Sequence, residues 1–251
     1  MIGAFVTITR PDERGDTYKE CIQMASELFD VVTIIDGKTT WPQEFSWELI
    51  GQHFQRGYEQ CEADWVFHLD TDFIFHENDY QAIRRACLDN PQAPALSFLK
   101  WQFIHPDRYN LKSRLILAVN KKVYGDQIRF DSGGDLCQPS LNGNYIAPGT
   151  VPEIRIPFYN YEKLLKTEAQ VRDDVERMAR AWTRYFGDTK LGTTETAYDE
   201  WLYMQRGRFA KPQKSIPLTD HPKIMQETIR LLKPEQFGYN GFNFMENAYH
   251  A

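Results

Sequence analysis

No stretch of the 251 residues approaches the roughly 18 consecutive apolar side chains that a bilayer-spanning helix needs. No transmembrane segment is predicted. The chain opens on a strand-like run, residues 2–8, with neither a basic leader nor an apolar core followed by small residues, so no signal peptide is predicted and a cytoplasmic location is expected. Cysteine is sparse. Cys21, Cys61, Cys87 and Cys137 are far apart and form no C-x-x-C pair, which speaks for free thiols in a reducing compartment and against structural zinc. Positive charge is in deficit: 29 Lys and Arg against 35 Asp and Glu leave a formal charge of -6. With Arg84-Arg85 and Lys121-Lys122 as the local basic clusters, nucleic acid is a poor partner, because binding it requires a concentrated positive face. Repeats, low-complexity tracts and heptads are missing as well, which leaves an ordinary globular domain.

What is present is alternation. Short β-branched or aromatic runs alternate with amphipathic helical patterns over the first hundred or so residues, the signature of an α/β protein with a mostly parallel sheet. Residues 4–8 read as the first strand, followed by a polar loop over residues 9–16. Thr17 with Glu20 suggests a capping box for a helix carrying Tyr18, Ile22, Ala25 and Leu28 on one face. Residues 31–35 form a continuous apolar strand ending at Asp36, as expected of a central strand buried on both sides. Ser46 should cap a second helix marked by Trp47, Ile50, Phe54, Tyr58 and Cys61, and residues 65–69 form the next strand. Asn78 is expected to cap a third helix with Tyr80, Ile83 and Cys87 inward, stopped at Asn90-Pro91. Further strands are expected over residues 95–103 and 115–119, and a long loop over 126–149. The last third reads as a helical annex: a stripe of Val171, Val175, Met178, Trp182 and Tyr185 ended by Gly187, then helices over residues 194–206 and 222–232.

The chemistry-bearing residues begin where the third apolar strand runs into Asp70-Thr71-Asp72. Two carboxylates one residue apart at a strand end offer hard oxygen ligands to Mn2+ or Mg2+ carrying a diphosphate; the alternative is a plain turn cap. Asp36 occupies the corresponding end of its own strand, the edge where open α/β sheets bind ligands.

In order and spacing, the run 5–10, the strand end Ile34-Ile35-Asp36-Gly37 and the segment from Gly57 through Asp72 resemble the nucleotide-diphospho-sugar transferases of the GT-A fold, particularly the family-two-like glycosyltransferases. The chain departs from that pattern before Gly57, carrying Phe54-Gln55 and a shifted Arg56 where many members have Arg-Asn. The resemblance implies one GT-A-like catalytic domain, with residues 1–105 binding the nucleotide sugar and 106–251 supplying the acceptor half and C-terminal helices. It implies a metal-dependent glycosyltransferase acting with inversion on a UDP- or GDP-sugar and a carbohydrate or other hydroxyl acceptor. Thr7, Thr9 and Arg10 would cradle the base, Asp36 would contact it, Asp70 would meet the ribose or the metal, and Asp72 the metal.

His221, in Thr219-Asp220-His221-Pro222, is a candidate third metal ligand, since imidazole suits manganese and some GT-A enzymes supply a late histidine; its alternative is a capping or surface role. An inverting transfer needs a carboxylate base, for which Asp135 in Ser132-Gly133-Gly134-Asp135 is the first choice and Glu153 and Glu195 are alternatives. Trp101, with Phe103 and Tyr109, is a candidate acceptor platform or a core residue. Three rivals share features: a haloacid-dehalogenase-like magnesium phosphatase, whose Asp-x-Asp normally lies near the N-terminus; a sugar-nucleotide nucleotidyltransferase, which should open with a Gly-rich phosphate loop that Thr9-Arg10-Pro11-Asp12-Glu13-Arg14 is not; and a non-catalytic nucleotide- or carbohydrate-binding module on a transferase scaffold.

Overall fold

The computed structural model describes residues 1–38, 44–133, 137–187, 193–209 and 214–245. The chain runs through β1 (Ile2–Ile8), α1 (Pro11–Arg14), α2 (Tyr18–Leu28), β2 (Val31–Asp36), α3 (Trp47–Gln60), β3 (Trp65–Leu69), β4 (Phe73–Phe75) and α4 (Tyr80–Asp89). There follow β5 (Ala95–His105), β6 (Arg108–Asn120), α5 (Lys121–Tyr124), β7 (Ile128–Ser132), β8 (Gln138–Leu141), β9 (Asn144–Tyr145) and β10 (Glu153–Asn160). The remainder is α6 (Glu168–Phe186), α7 (Ala197–Phe209), β11 (Lys214–Ser215), α8 (Lys223–Arg230) and α9 (Phe237–Asn240).

The main sheet has the order β2-β1-β3-β6-β5-β10-β4, with β11 added on β6. Pairing is parallel at β1-β2, β1-β3 and β5-β10 and antiparallel at β3-β6, β5-β6 and β4-β10. Five strands on that path, β2, β1, β3, β5 and β10, therefore point the same way, and Ile8, Asp36, Leu69 and Asn160 end on one edge. This is the expected α/β architecture. The strand β10 was not read from the sequence, and neither was the separate sheet β7-β8-β9, which lies within the segment expected to be loop.

The alternation of side chains along β1 divides the core. Ala4 and Val6 face α2, packing with Met24, Ala25 and Leu28, while Phe5 faces α3 and meets Phe54, Tyr58 and Val66. Phe5 lies 5.2 Å from the ring of His68 and 5.5 Å from that of Phe130, so β1, β3 and β7 are joined through aromatic contacts.

Two expected caps take different forms. Ser46 accepts from Leu49 N at 3.3 Å and caps α3 as expected. Thr17 makes no cap bond: buried at 1% exposure, its hydroxyl donates to the Thr71 carbonyl at 3.1 Å, fastening α2 to the turn after β3. Glu20 instead accepts from Thr228 of α8 at 2.6 Å. Asn78 sits inside a 3-10 turn ahead of α4, its amide donating to His76 Nδ1 at 3.1 Å.

Close packing of α3 on β1 requires glycine at position 57, where a Cβ would stand 2.5 Å from the Phe5 ring. Gly57→Ala is expected to lower stability by about 1–3 kcal/mol in urea unfolding, through displacement of Phe5. Gly207→Ala in α7, where a Cβ would meet nothing within 4 Å, is expected to raise it by about 0.5–1 kcal/mol. An unchanged midpoint in the first variant would show that the α3–β1 contact is slack.

Candidate functional site

A cleft of about 320 Å³ lies over the shared strand edge and collects residues from six regions of the chain. One half is largely apolar and aromatic, with Ile35, Phe45, Trp47, Ile50 and Phe54 beside Thr7 and Thr9. The other half is charged, with Asp70, Asp72, Lys100, Glu162, Lys163 and Asp174 joined by Arg14, Asp16 and Lys166.

The turn carrying Asp70 and Asp72 is tied down on all sides. Phe73 N donates to the Asp70 carbonyl at 3.0 Å, Cys21 Sγ to the same carbonyl at 3.4 Å, and Tyr161 N to the Asp72 carbonyl at 3.0 Å. Asn160, at the end of β10 and 1% exposed, donates from Nδ2 to Asp72 Oδ2 at 2.6 Å. His68 Nε2 approaches Asp70 Oδ1 to 3.1 Å, and its ring packs against that of Phe54, tilted by 43° with centroids 3.8 Å apart.

Charge is unevenly shared among these carboxylates. Desolvation, reinforced by Asp70 and then Glu162, pushes Asp72 up to about 7. Asp70 is lowered despite its own desolvation, because His68 and Lys100 lie beside it. Glu162 is brought down to about 2, first by Lys163 against desolvation and then by Lys100. Lys100 itself has no ion-pair partner among the described residues and rests 5.5 Å over the Phe73 ring. Crowded carboxylates, one reluctant to ionise, form an environment that a cation would relieve. No group of three or more His, Cys, Asp or Glu able to hold a metal occurs among the described residues, so Asp70 and Asp72 would need phosphate or water oxygens to complete a shell.

The other sequence-predicted residues are dispersed. Thr7 and Thr9 line the cleft, while Arg10, in a left-handed conformation (φ 44), pairs with Glu13 at 3.4 Å and is absent from the lining. Asp36 is exposed at the end of β2, where its Oδ1 accepts from Lys38 N at 2.8 Å. Asp135 lies outside the described residues. Glu153 pairs with Arg114 at 3.1 Å, and neither it nor the exposed Glu195 borders the cleft.

His221 is a correction: the structure does not place it at a metal site. It is fully buried, Tyr161 Oη lies 2.7 Å from its Nδ1, and its Nε2 lies 2.8 Å from the Pro106 carbonyl. With Nε2 donating to that carbonyl, Nδ1 accepts from the tyrosine, and no lone pair is left for a metal. Desolvation lowers its pKa to about 4, in keeping with a neutral core imidazole. Trp101 is half-buried outside the cleft lining, stacking on Tyr109 at 4.1 Å and 16° and packing against Tyr159.

Sequence reasoning missed Lys100, Asn160, Glu162, Lys163 and the Arg14-Asp16-Lys166-Asp174 group. The polar run Asn160-Tyr161-Glu162-Lys163 is the one available signal, legible once β10 is recognised as a strand ending at the same edge.

No protein-family model matches the chain, and no curated protein does. Among solved structures, it is similar to residues 1–349 of TarS from S. aureus, at 9% identity and a TM-score of 0.35, covering 82% of this chain and 79% of that one. It is also similar to a protein from Bacillus anthracis assigned as a glucose-1-phosphate thymidylyltransferase, in complex with a sucrose, at 11% identity and a TM-score of 0.32, covering 82% and 84%. No helix among the described residues is long and apolar enough to cross a membrane.

The raised Asp72 pKa gives a stability test whose sign is fixed. A carboxyl whose folded pKa of about 7 exceeds its unfolded value of 3.8 holds its proton more tightly when folded. The fold is thus penalised by Asp72 ionisation, fully so above neutrality and not at all below about pH 4. Asp72→Asn is expected to raise the metal-free thermal midpoint at pH 8, with the gain shrinking toward zero as pH falls to about 4. A midpoint lowered at pH 8 would make Asp72 a structural residue.

Proposed function

We propose that this chain transfers a sugar from a nucleoside-diphosphate donor to an acceptor hydroxyl, with Mn2+ or Mg2+ held by Asp70 and Asp72. The observation that carries the reading is the meeting, at one strand edge, of two crowded carboxylates with an ammonium, Lys100, that lacks an ion-pair partner among the described residues. A diphosphate is complementary to that combination, and nucleotide bases favour apolar, aromatic walls such as those of Trp47 and Phe54 in the adjoining half.

When bound, the metal would supply charge neutralisation at the diphosphate leaving group. The chain's own residues account for the rest. Asn160 fixes the Asp72 carboxylate, Lys100 meets phosphate oxygens, Thr7 and Thr9 offer hydroxyls along the base wall, and Asp36 reaches the base or ribose from the rim. Residues 1–105 form the donor half, and inversion would proceed with Asp135 or another carboxylate accepting the acceptor proton.

A panel of UDP, GDP, CDP and dTDP, each with and without Mn2+, tests this by thermal shift. One nucleotide is expected to raise the midpoint by several degrees, only with the metal and not in Asp72→Asn. Silence from all four contradicts the reading; a metal-dependent shift with no turnover of the matching nucleotide sugars points to the non-catalytic binding module.

A further inference from the structure

A second cavity of about 170 Å³ adjoins the charged half of the cleft, sharing Arg14, Lys163 and Asp174 with it and adding Arg177 of α6 and Trp201 of α7. Arg177 is 8% exposed, and its Nε and Nη2 are buried without a hydrogen-bond partner among the described residues. Its Nη1 lies 3.6 Å from Asp173, a carboxylate 66% exposed. Burying a guanidinium with two N–H groups unmatched is costly, and neighbouring positions on α6 that only pack, Val171, Val175 and Ala179, are apolar.

The other charges around this cavity are compensated. Lys163 bridges Glu162 at 3.1 Å and Asp174 at 3.0 Å, and Arg14 pairs with Asp16 at 3.1 Å. Among the described residues lining the cavity, Arg177 is the cation left with unmatched donors. Moreover, Nε and Nη2 lie on one edge of the guanidinium, the edge that meets a carboxylate or phosphate through two parallel hydrogen bonds.

We infer that this cavity is a subsite for an anionic substituent, a carboxylate or a phosphate, carried by the sugar substrate and held by Arg177 beside the Trp201 indole. The inference rests on the transferase reading in taking the anion to belong to a sugar; its binding test is independent of turnover.

Glucose 6-phosphate, glucuronate and neutral glucose are titrated against the full chain and against Arg177→Met and Arg177→Lys, with thermal midpoint and calorimetry as readouts. At least one anionic sugar is expected to bind wild type where glucose does not, and the one that binds identifies the charged group. Arg177→Met is expected to weaken that binding at least about tenfold, Arg177→Lys to retain part of it. Because Arg177 leaves two donors unmatched, the unliganded Arg177→Met midpoint should equal or exceed wild type, which a merely structural arginine would not allow. Equal responses to glucose and the anionic sugars, unchanged binding in Arg177→Met, or a midpoint several degrees lower in that variant would each overturn the subsite. The nucleotide panel on the same wild-type preparation separates the two readings: anion binding through Arg177 with a silent panel keeps the subsite and removes the transferase, and the reverse removes the subsite alone.

Discussion

Lys166 is 1% exposed, and its ammonium reaches the Arg14 carbonyl at 2.9 Å, Asp16 at 2.8 Å and Asp174 at 2.9 Å. Three distant parts of the chain meet at this one nitrogen: the loop after β1, the segment leaving β10, and the first turns of α6. Gln170 extends the junction by donating to the Glu13 carbonyl at 2.6 Å, and Phe237 N by donating to the Lys166 carbonyl at 2.9 Å. A desolvated ion pair contributes little net stability, although removing one partner costs about 3–5 kcal/mol. What the junction supplies is position. It sets Arg14, Lys163 and Asp174 into the cleft wall, and Lys163 and Asp174 in turn border both cavities. Asp174 is held below the usual carboxylate range, its desolvation outweighed by Lys163, Lys166 and Arg14.

Against that compensated wall, the end of β3 is under electrostatic tension. The apolar packing beneath it, with Leu69, Phe73 and Phe158 all at 3% exposure or less, holds Asp70 and Asp72 close together although their ionised forms repel. Hydrogen bonds from Cys21, Thr17, Tyr161 and Asn160 fix the turn without neutralising it, since none of these groups carries positive charge. In the proposed reading, this crowded turn, beside Lys100, which forms no ion pair among the described residues, would receive an occupant bringing both cation and anion.

The parallel half of the fold was legible because its strands are written as continuous apolar runs, each followed by a polar edge residue: β1 and β3 are buried as such runs imply, whereas β2, expected to be buried on both sides, is the half-exposed edge strand, with Ile34 46% exposed. Asp70 and Asp72 came with them. β10 escaped because Arg155 and Pro157 interrupt its apolar pattern and its first half is largely exposed, and β7 to β9 because Gly, Pro and Asn in that stretch signal turns more strongly than short strands. Local motifs also admit more than one tertiary use. Thr17 reads as a cap but is spent on the Thr71 carbonyl, and Thr219-Asp220-His221-Pro222 reads the same whether the imidazole faces a ligand or, as here, Tyr161 and the Pro106 carbonyl. Lys100, Asn160, Glu162 and Arg177 come together through strand order and the placing of α6, neither of which leaves a periodic trace.

In the proposed function, Asp70 and Asp72 hold a divalent cation jointly with a diphosphate. Titration of Mn2+ followed by electron paramagnetic resonance, with and without the nucleoside diphosphate that gives the largest thermal shift, measures that coupling directly. One ion is expected to bind per chain, weakly alone and at least about tenfold more tightly with the nucleotide, as reciprocal linkage requires. Manganese affinity unaffected by any nucleotide, or unchanged when both aspartates are replaced by asparagine, would contradict it.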